Sequence, residues 1–202
     1  MADSYHHGNL KEALIKEGKK MISKDGPSAF SLRKVAEKCN VSYAAPKNHF
    51  VDKRALIRAI QNDIADNFYD FLKKIYNENK DDEDVLIKLG EGYVKYFIDN
   101  PNYYSLFFHE NAIPDTIQMK DDNTITSNFK PFTLFKDVAT DVLKKHNIPD
   151  EDINECILSM WSMVHGISSI HAYSFFTYHG DILDLTKKAL ARYVIFEHND
   201  AD

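Results

Sequence analysis

SLRKVAEKCNVSYAAPKNHFVDKR, the stretch from Ser31 to Arg54, decides how the chain is read. Leu32, Val35, Ala36 and Cys39 recur at i, i+3, i+4 and i+7, which places one apolar stripe on a helix of about two turns. Asn40 follows, a short polar residue that tolerates the left-handed conformation closing many helix C-termini. Val41 is placed to fill the corner and Ser42 to cap a second helix. In that second helix Pro46, His49 and Phe50 share one face, expected to pack inward. Tyr43, Ala44, Lys47 and Asn48 share the other, expected to look out.

Two short helices joined by a three- to four-residue turn make a helix-turn-helix, whose second helix fits the major groove of DNA. The outward face offers a cation, an amide, a phenol and a methyl group, which suit phosphate or guanine, adenine, phosphate and a thymine methyl respectively. An ordinary corner of an all-α protein, with Lys47 and Asn48 merely solvated, satisfies the same short pattern.

The same residues resemble the DNA-binding domain of the TetR/AcrR family of bacterial transcription regulators. SLRKVAEKCNVS followed by AAPKNHFVDKRAL is similar to that family's signature, and the likeness extends upstream through YHHGNLKEALI (Tyr5 to Ile15) and Gly26-Pro27. Lys47 stands where many members carry a phosphate-contacting tyrosine, and Pro46 where leucine is frequent. The resemblance implies phosphate contacts from Ser31 and Arg33. Further on, IDNP with the aromatic NYYSLFFHENA resembles a segment of the family's regulatory domain, and WSMVHG (Trp161 to Gly166) resembles the tryptophan-histidine-glycine motif of one of its C-terminal domain types. It also implies that the last two helices meet their copies in a second subunit as a four-helix homodimer interface.

Charge is distributed unevenly. The 202 residues carry a net charge of −6, yet residues 1 to 60 hold 12 Lys and Arg against six Asp and Glu, and residues 61 to 202 hold 13 against 25. A basic end facing phosphate and an acidic body kept away from it reconcile the overall acidity with nucleic-acid binding. With 44% hydrophobic and 28% charged residues, and only seven Gly and six Pro, the composition is that of a soluble globular protein with room for long helices. No apolar run approaches the ~18 residues of a membrane span and MADSYHHGNL lacks signal-peptide character, so a cytoplasmic protein with no membrane association is expected. Cys39 and Cys156 read as small core residues.

Taken in order, residues 9–24 read as a helix with Asn9 placed to cap it, Ser31 as the cap of the next, and residues 53–76 as one long helix without Pro or Gly. The run NENKDDED from Asn77 to Asp84 reads as a charged hinge. Helices are expected over 85–98, 102–112, 129–146, 150–178 and 182–196, and an aperiodic mobile loop over 113–128. The fold class is all-α, with a three-helix helix-turn-helix domain over 1–52, a connector helix over 53–78 and a helical effector-binding and dimerisation domain over 79–202.

The candidate DNA-binding residues are Ser31, Arg33, Tyr43, Ala44, Lys47, Asn48 and Lys53, with Ser42 and His49 at the two ends of the second helix. Tyr43, Ala44 and Asn48 are assigned to bases, and Lys47, Ser31, Arg33 and Lys53 to phosphate. Tyr93, Phe97, Tyr104, Phe107, Phe108, Trp161, His165 and Tyr173 are enough aromatic and weakly polar groups to line a site for a small apolar or aromatic effector, though each alone equally suits a core. His109-Glu110 lacks a histidine at i+4, no Cys/His cluster has zinc spacing, and no Gly-rich phosphate loop or GxSxG elbow occurs. No metal, cofactor or catalytic residue is therefore assigned. The reading is a sequence-specific regulator of transcription on a palindromic duplex, most simply a repressor released by an effector. An effector-independent architectural or division-control protein of the same fold is the principal rival, and a helical small-molecule binder or enzyme the second.

Overall fold

The computed structural model describes residues 10–108, 117–173 and 177–199, with side chains to residue 193. Eight α-helices and one β-hairpin are present among them: α1 (Leu10–Asp25), α2 (Leu32–Lys38), α3 (Lys53–Asn79), α4 (Val85–Asp99), α5 (Pro101–Phe108), β1 (Ile117–Met119), β2 (Ile125–Ser127), α6 (Lys130–Lys145), α7 (Asp150–Ala172) and α8 (Ile182–Asn199). Asn9, the expected cap of α1, and His109 lie outside the described residues.

Two compact units divide the chain inside α3, between Ile64 and Ala65, and α5 belongs to the first. That first unit is built on α1, whose Leu14, Met21 and Ile22 are buried with Phe30, Val35, Phe50, Leu56 and Ile60. Gly18 lets α3 approach: a Cβ there would stand 2.5 Å from Ile60 Cδ1 and 3.1 Å from Phe30 Cε2. Lys19 pairs with Asp63 beside this contact. Helix α5 packs against α1, tied to it by Asn102 Nδ2 donating to the Ser23 carbonyl at 2.9 Å, and is held to α3 by buried Gln61 Nε2 donating to the Leu106 carbonyl at 3.1 Å.

The second unit surrounds α4, which contacts α6, α7 and α8. Its core is aromatic. Phe68 stacks on Tyr96 with ring centres 4.4 Å apart and meets Tyr93 and Phe97 edge-on, while Trp161 takes the edges of Tyr93 and Phe132 at 4.8 and 4.9 Å. Such tilted and edge-to-face pairs add about 0.5–1.5 kcal/mol each beyond area burial.

Three expectations from the sequence are corrected here. Part of the 113–128 segment expected to be an aperiodic loop is an antiparallel hairpin, pairing Ile117 with Ser127 and Met119 with Ile125. Its turn is closed by Asn123 in the left-handed region (φ 65°) and by Asp122 Oδ1 accepting from the Thr124 amide at 3.0 Å. The Asn123 carboxamide then donates to the Glu151 carbonyl, tethering the turn to α7. Helix α7 ends at Ala172 instead of running to Tyr178, with Tyr173 as its C-cap, and α3 continues to Asn79, three residues into the supposed hinge.

Candidate nucleic-acid interface

Ser31 and Asn40 delimit α2 in the way their chemistry requires. Ser31 has extended backbone and its Oγ accepts from the Lys34 amide at 3.5 Å. At the other end Asn40 has φ 55°, its amide bonds the Glu37 carbonyl at 3.0 Å, and the Val41 amide reaches back to the Ala36 carbonyl at 3.1 Å. These two bonds form a Schellman closure, which turns the chain sharply from α2 toward the reading segment.

That segment is a 3₁₀ turn, Ala45–Asn48, and not the α-helix expected. The reason is Pro46. An α-helix from Ser42 would need the residue 46 amide to bond the Ser42 carbonyl, and proline has no such proton. Ala45 takes that carbonyl instead at 3.1 Å, and the Lys47 and His49 amides bond three residues back, to Ala44 and Pro46. Ser42 therefore serves the turn through its carbonyl, and the capping position passes to Ala44, which offers no side-chain bond.

Pro46 and Phe50 are buried, while Ser42, Tyr43, Ala44, Lys47, Asn48 and His49 are exposed. The inward face expected for Pro46, His49 and Phe50 thus holds for two of the three. The third, His49, lies beyond the 3₁₀ turn as its C-cap and is exposed.

Five of the candidates come together. Ser31, Arg33, Tyr43, Lys47 and Lys53 line one open groove of about 490 Å³, with Phe30, Leu32, Val51 and Asp52. The Lys47 ammonium stands over the Tyr43 ring and that of Lys53 over Phe30, 5.8 and 5.6 Å from the ring centres. Arg33 Nε donates to Glu37 Oε1 at 3.1 Å in an exposed pair, so this guanidinium exchanges a carboxylate for any phosphate it meets. The Asp52 carboxylate faces its own helix, accepting from the Ala55 amide at 2.7 Å. It caps α3 and offsets the placement of Lys53 at a helix N-terminus. Ala44, Asn48, Ser42 and His49 are exposed on the adjoining turn but do not line the groove. Phe30, Leu32 and Val51 were not among the candidate DNA-binding residues, because apolar residues in a short motif read as core.

The residues expected to line an effector site are divided between the two units. Tyr104 and Phe107 are buried in the first unit, and Phe108 lies beside Tyr104 with ring centres 4.8 Å apart. In the second unit Tyr93 and Trp161 line a small cavity of about 20 Å³, with Leu72, Gly90, Met160 and Leu190 among its walls. The buried Tyr93 hydroxyl lies 3.1 Å from His165 Nδ1, a polar link between α4 and α7. Phe97 is packed into the aromatic cluster around Phe68, and Tyr173 is exposed at the end of α7. Among the described residues no helix is long and apolar enough to cross a membrane.

Comparison with known proteins gives these features a family. Residues 14–60 match the model of the bacterial regulatory proteins of the tetR family, and residues 86–193 match that of the tetracyclin repressor-like C-terminal domain. No curated protein matches the chain in sequence. Among solved structures, a protein of unknown function from Rhodococcus sp. RHA1 is similar with a TM-score of 0.76 at 21% identity, over 95% of this chain and 97% of that one. The regulator FadR from Bacillus subtilis, in complex with stearoyl-CoA, has a TM-score of 0.64 at 12% identity over 91% and 97% of the two chains. A TetR variant from Acinetobacter baumannii AYE, in complex with minocycline, has a TM-score of 0.62 at 16% identity over 92% and 94%. At these identities the structures speak for the fold, and the family models, which together span most of the chain, speak for the family. The chain belongs to the TetR family and is a DNA-binding transcriptional regulator.

Proposed function

We propose that the protein is a homodimeric repressor that reads a palindromic operator and is released by a small apolar effector. The observation carrying the DNA half of this reading is the groove that gathers Ser31, Arg33, Tyr43, Lys47 and Lys53 beside the exposed reading turn. Lys47, Lys53, Ser31 and Arg33 hold phosphates, and Tyr43, Ala44 and Asn48 meet base edges. Two copies of this surface related by a two-fold axis engage successive major grooves, about one helical turn or somewhat more apart.

Dimerisation through α7 and α8 is supported by the outer side of α7. Leu158, Ile170 and Tyr173 are large hydrophobic residues left exposed there, and a Cβ on Gly166 would have nothing within 4 Å. The regulatory half rests on the apolar cavity lined by Tyr93 and Trp161, on the minocycline and stearoyl-CoA complexes of two fold relatives, and on the polar link from Tyr93 to His165 across α4 and α7. A volume of about 20 Å³ admits one water-sized probe, far below the roughly 300–1,000 Å³ of drug-sized sites, so an effector must displace side chains to enter. That small volume favours the second reading, an effector-independent regulator with a filled C-terminal core.

Selection of bound duplexes from a random pool at two salt concentrations tests the first half: a palindrome is expected, and enrichment of nothing, with or without added small molecules, would refute it. The selected duplex then serves as the probe for release by small apolar compounds, and persistence of the complex with all of them would decide for the effector-independent reading.

A further inference from the structure

The two most exposed large hydrophobic side chains among the described residues, Val51 at 84% and Tyr43 at 56%, line the same groove. One exposed hydrophobic residue needs no explanation. Two in one groove, between Ser31, Arg33, Lys47 and Lys53, describe a surface that offers apolar contact among cations.

Val51 is also held where it is. Phe50 before it is buried and its amide bonds the Pro46 carbonyl at 2.9 Å; Asp52 after it is fixed as the cap of α3. A single residue between two anchored neighbours has little backbone freedom, and a β-branched side chain has little rotamer freedom to lose on contact. Phe30 and Leu32 continue the apolar surface of the groove. An occupant must therefore present anions and aliphatic C–H groups in alternation, which is the chemistry of phosphate and deoxyribose along a DNA strand. The base-reading candidates Tyr43, Ala44 and Asn48 belong to the turn before Phe50, whereas Val51 follows it and sits two residues from Lys53.

We infer that Val51 packs on a deoxyribose of the strand whose phosphates Lys47 and Lys53 hold, adding affinity that is independent of both sequence and salt. This rests on the reading of the groove as the DNA site.

The test compares wild-type protein, Val51→Ser and Lys53→Ala on the selected duplex and on a random duplex of equal length, across a series of salt concentrations. Val51→Ser is expected to weaken both duplexes about three- to tenfold, the loss of one partly buried aliphatic contact, with the slope of log K against log salt unchanged. Lys53→Ala is expected to reduce that slope by about one. Equal binding by Val51→Ser and wild type overturns the inference. So does a loss confined to the selected duplex and reproduced in the wild type by replacing one thymine with uracil, which would assign Val51 to a thymine methyl. A wild type that binds neither duplex instead removes the groove reading itself, and the inference with it. Thermal unfolding of Val51→Ser, expected to match the wild type because the side chain is exposed, separates contact from folding.

Discussion

The Lys47 ammonium lies 5.8 Å from the centre of the Tyr43 ring, and both side chains open onto the groove. Such an exposed cation–π contact contributes about 0.5–1 kcal/mol, enough to bias the direction of a flexible lysine without removing it from solvent. Lys47→Ala is expected to weaken binding to every duplex and to lower the salt slope by about one. Asn48→Ala is expected to change preference at one base position, by about 1–3 kcal/mol for that pair. Fluorescence anisotropy on operator and random duplexes distinguishes them, and equal losses on both for Asn48→Ala would remove it from the base-reading set.

Asn40 tests the turn. At φ 55° it occupies a conformation that costs a residue with a Cβ roughly 1–2 kcal/mol, less for Asn and least for Gly. Asn40→Gly should leave unfolding free energy unchanged or slightly raised, while Asn40→Val should lower it by about 1–2 kcal/mol. Denaturant unfolding measures both, and a stable Asn40→Val would show that the turn does not depend on this conformation.

Leu190 fills the space that a side chain on Gly90 would take, its Cδ1 lying against the position of a Cβ there. Leu190→Ala should cost about 2–5 kcal/mol and enlarge the cavity beside Tyr93 and Trp161. An apolar cavity of that kind stays dry and binds single-ring hydrocarbons. Benzene or indole should then raise the melting temperature of Leu190→Ala and not of the wild type, and failure to do so would mean that neighbouring helices collapse into the space.

Glu91 gives the protein a pH dependence of definite sign. Burial, opposed by Lys187 and reinforced by Asp84 and Asp181, raises its carboxyl above the usual value of 4.5. The folded state thus binds this proton more tightly than the unfolded state. Its contribution is most favourable below the ordinary range and is lost as pH rises through the raised value. Glu91→Gln should therefore be more stable than wild type at pH 7, with the gap closing as pH falls through the raised value and closed below about 4.5. A gap independent of pH would place the effect elsewhere.

Much of the local architecture was legible because it depends on neighbours a few residues away. The period of Leu32, Val35, Ala36 and Cys39, the cap at Ser31 and the left-handed turn at Asn40 all follow from short-range backbone chemistry, and the structure contains each of them. Pro46 was legible as a missing donor, but its result was not: only the competition for the Ser42 carbonyl turned the reading segment into a 3₁₀ turn. The hairpin at Ile117–Ser127 was missed because three-residue strands give too short an alternation, and its turn is held by α7 through Asn123 and Asn154.

The eight aromatic candidates separate these two levels. Composition alone identified residues rich enough in rings to build a core or a pocket. Their assignment was tertiary: α5 pairs with α1, so Tyr104 and Phe107 complete the first unit, while Tyr93 and Trp161 meet around a cavity in the second. The sequence by itself determined the all-α class, the family and the chemistry of the reading segment, since periodicity, caps and motif residues are local properties. Only the tertiary structure decided that Ser31 and Arg33 of the α2 N-terminus, Tyr43 and Lys47 of the turn and Lys53 of α3 share one groove with Val51, because contacts between elements are set by packing against a common core and not by spacing along the chain.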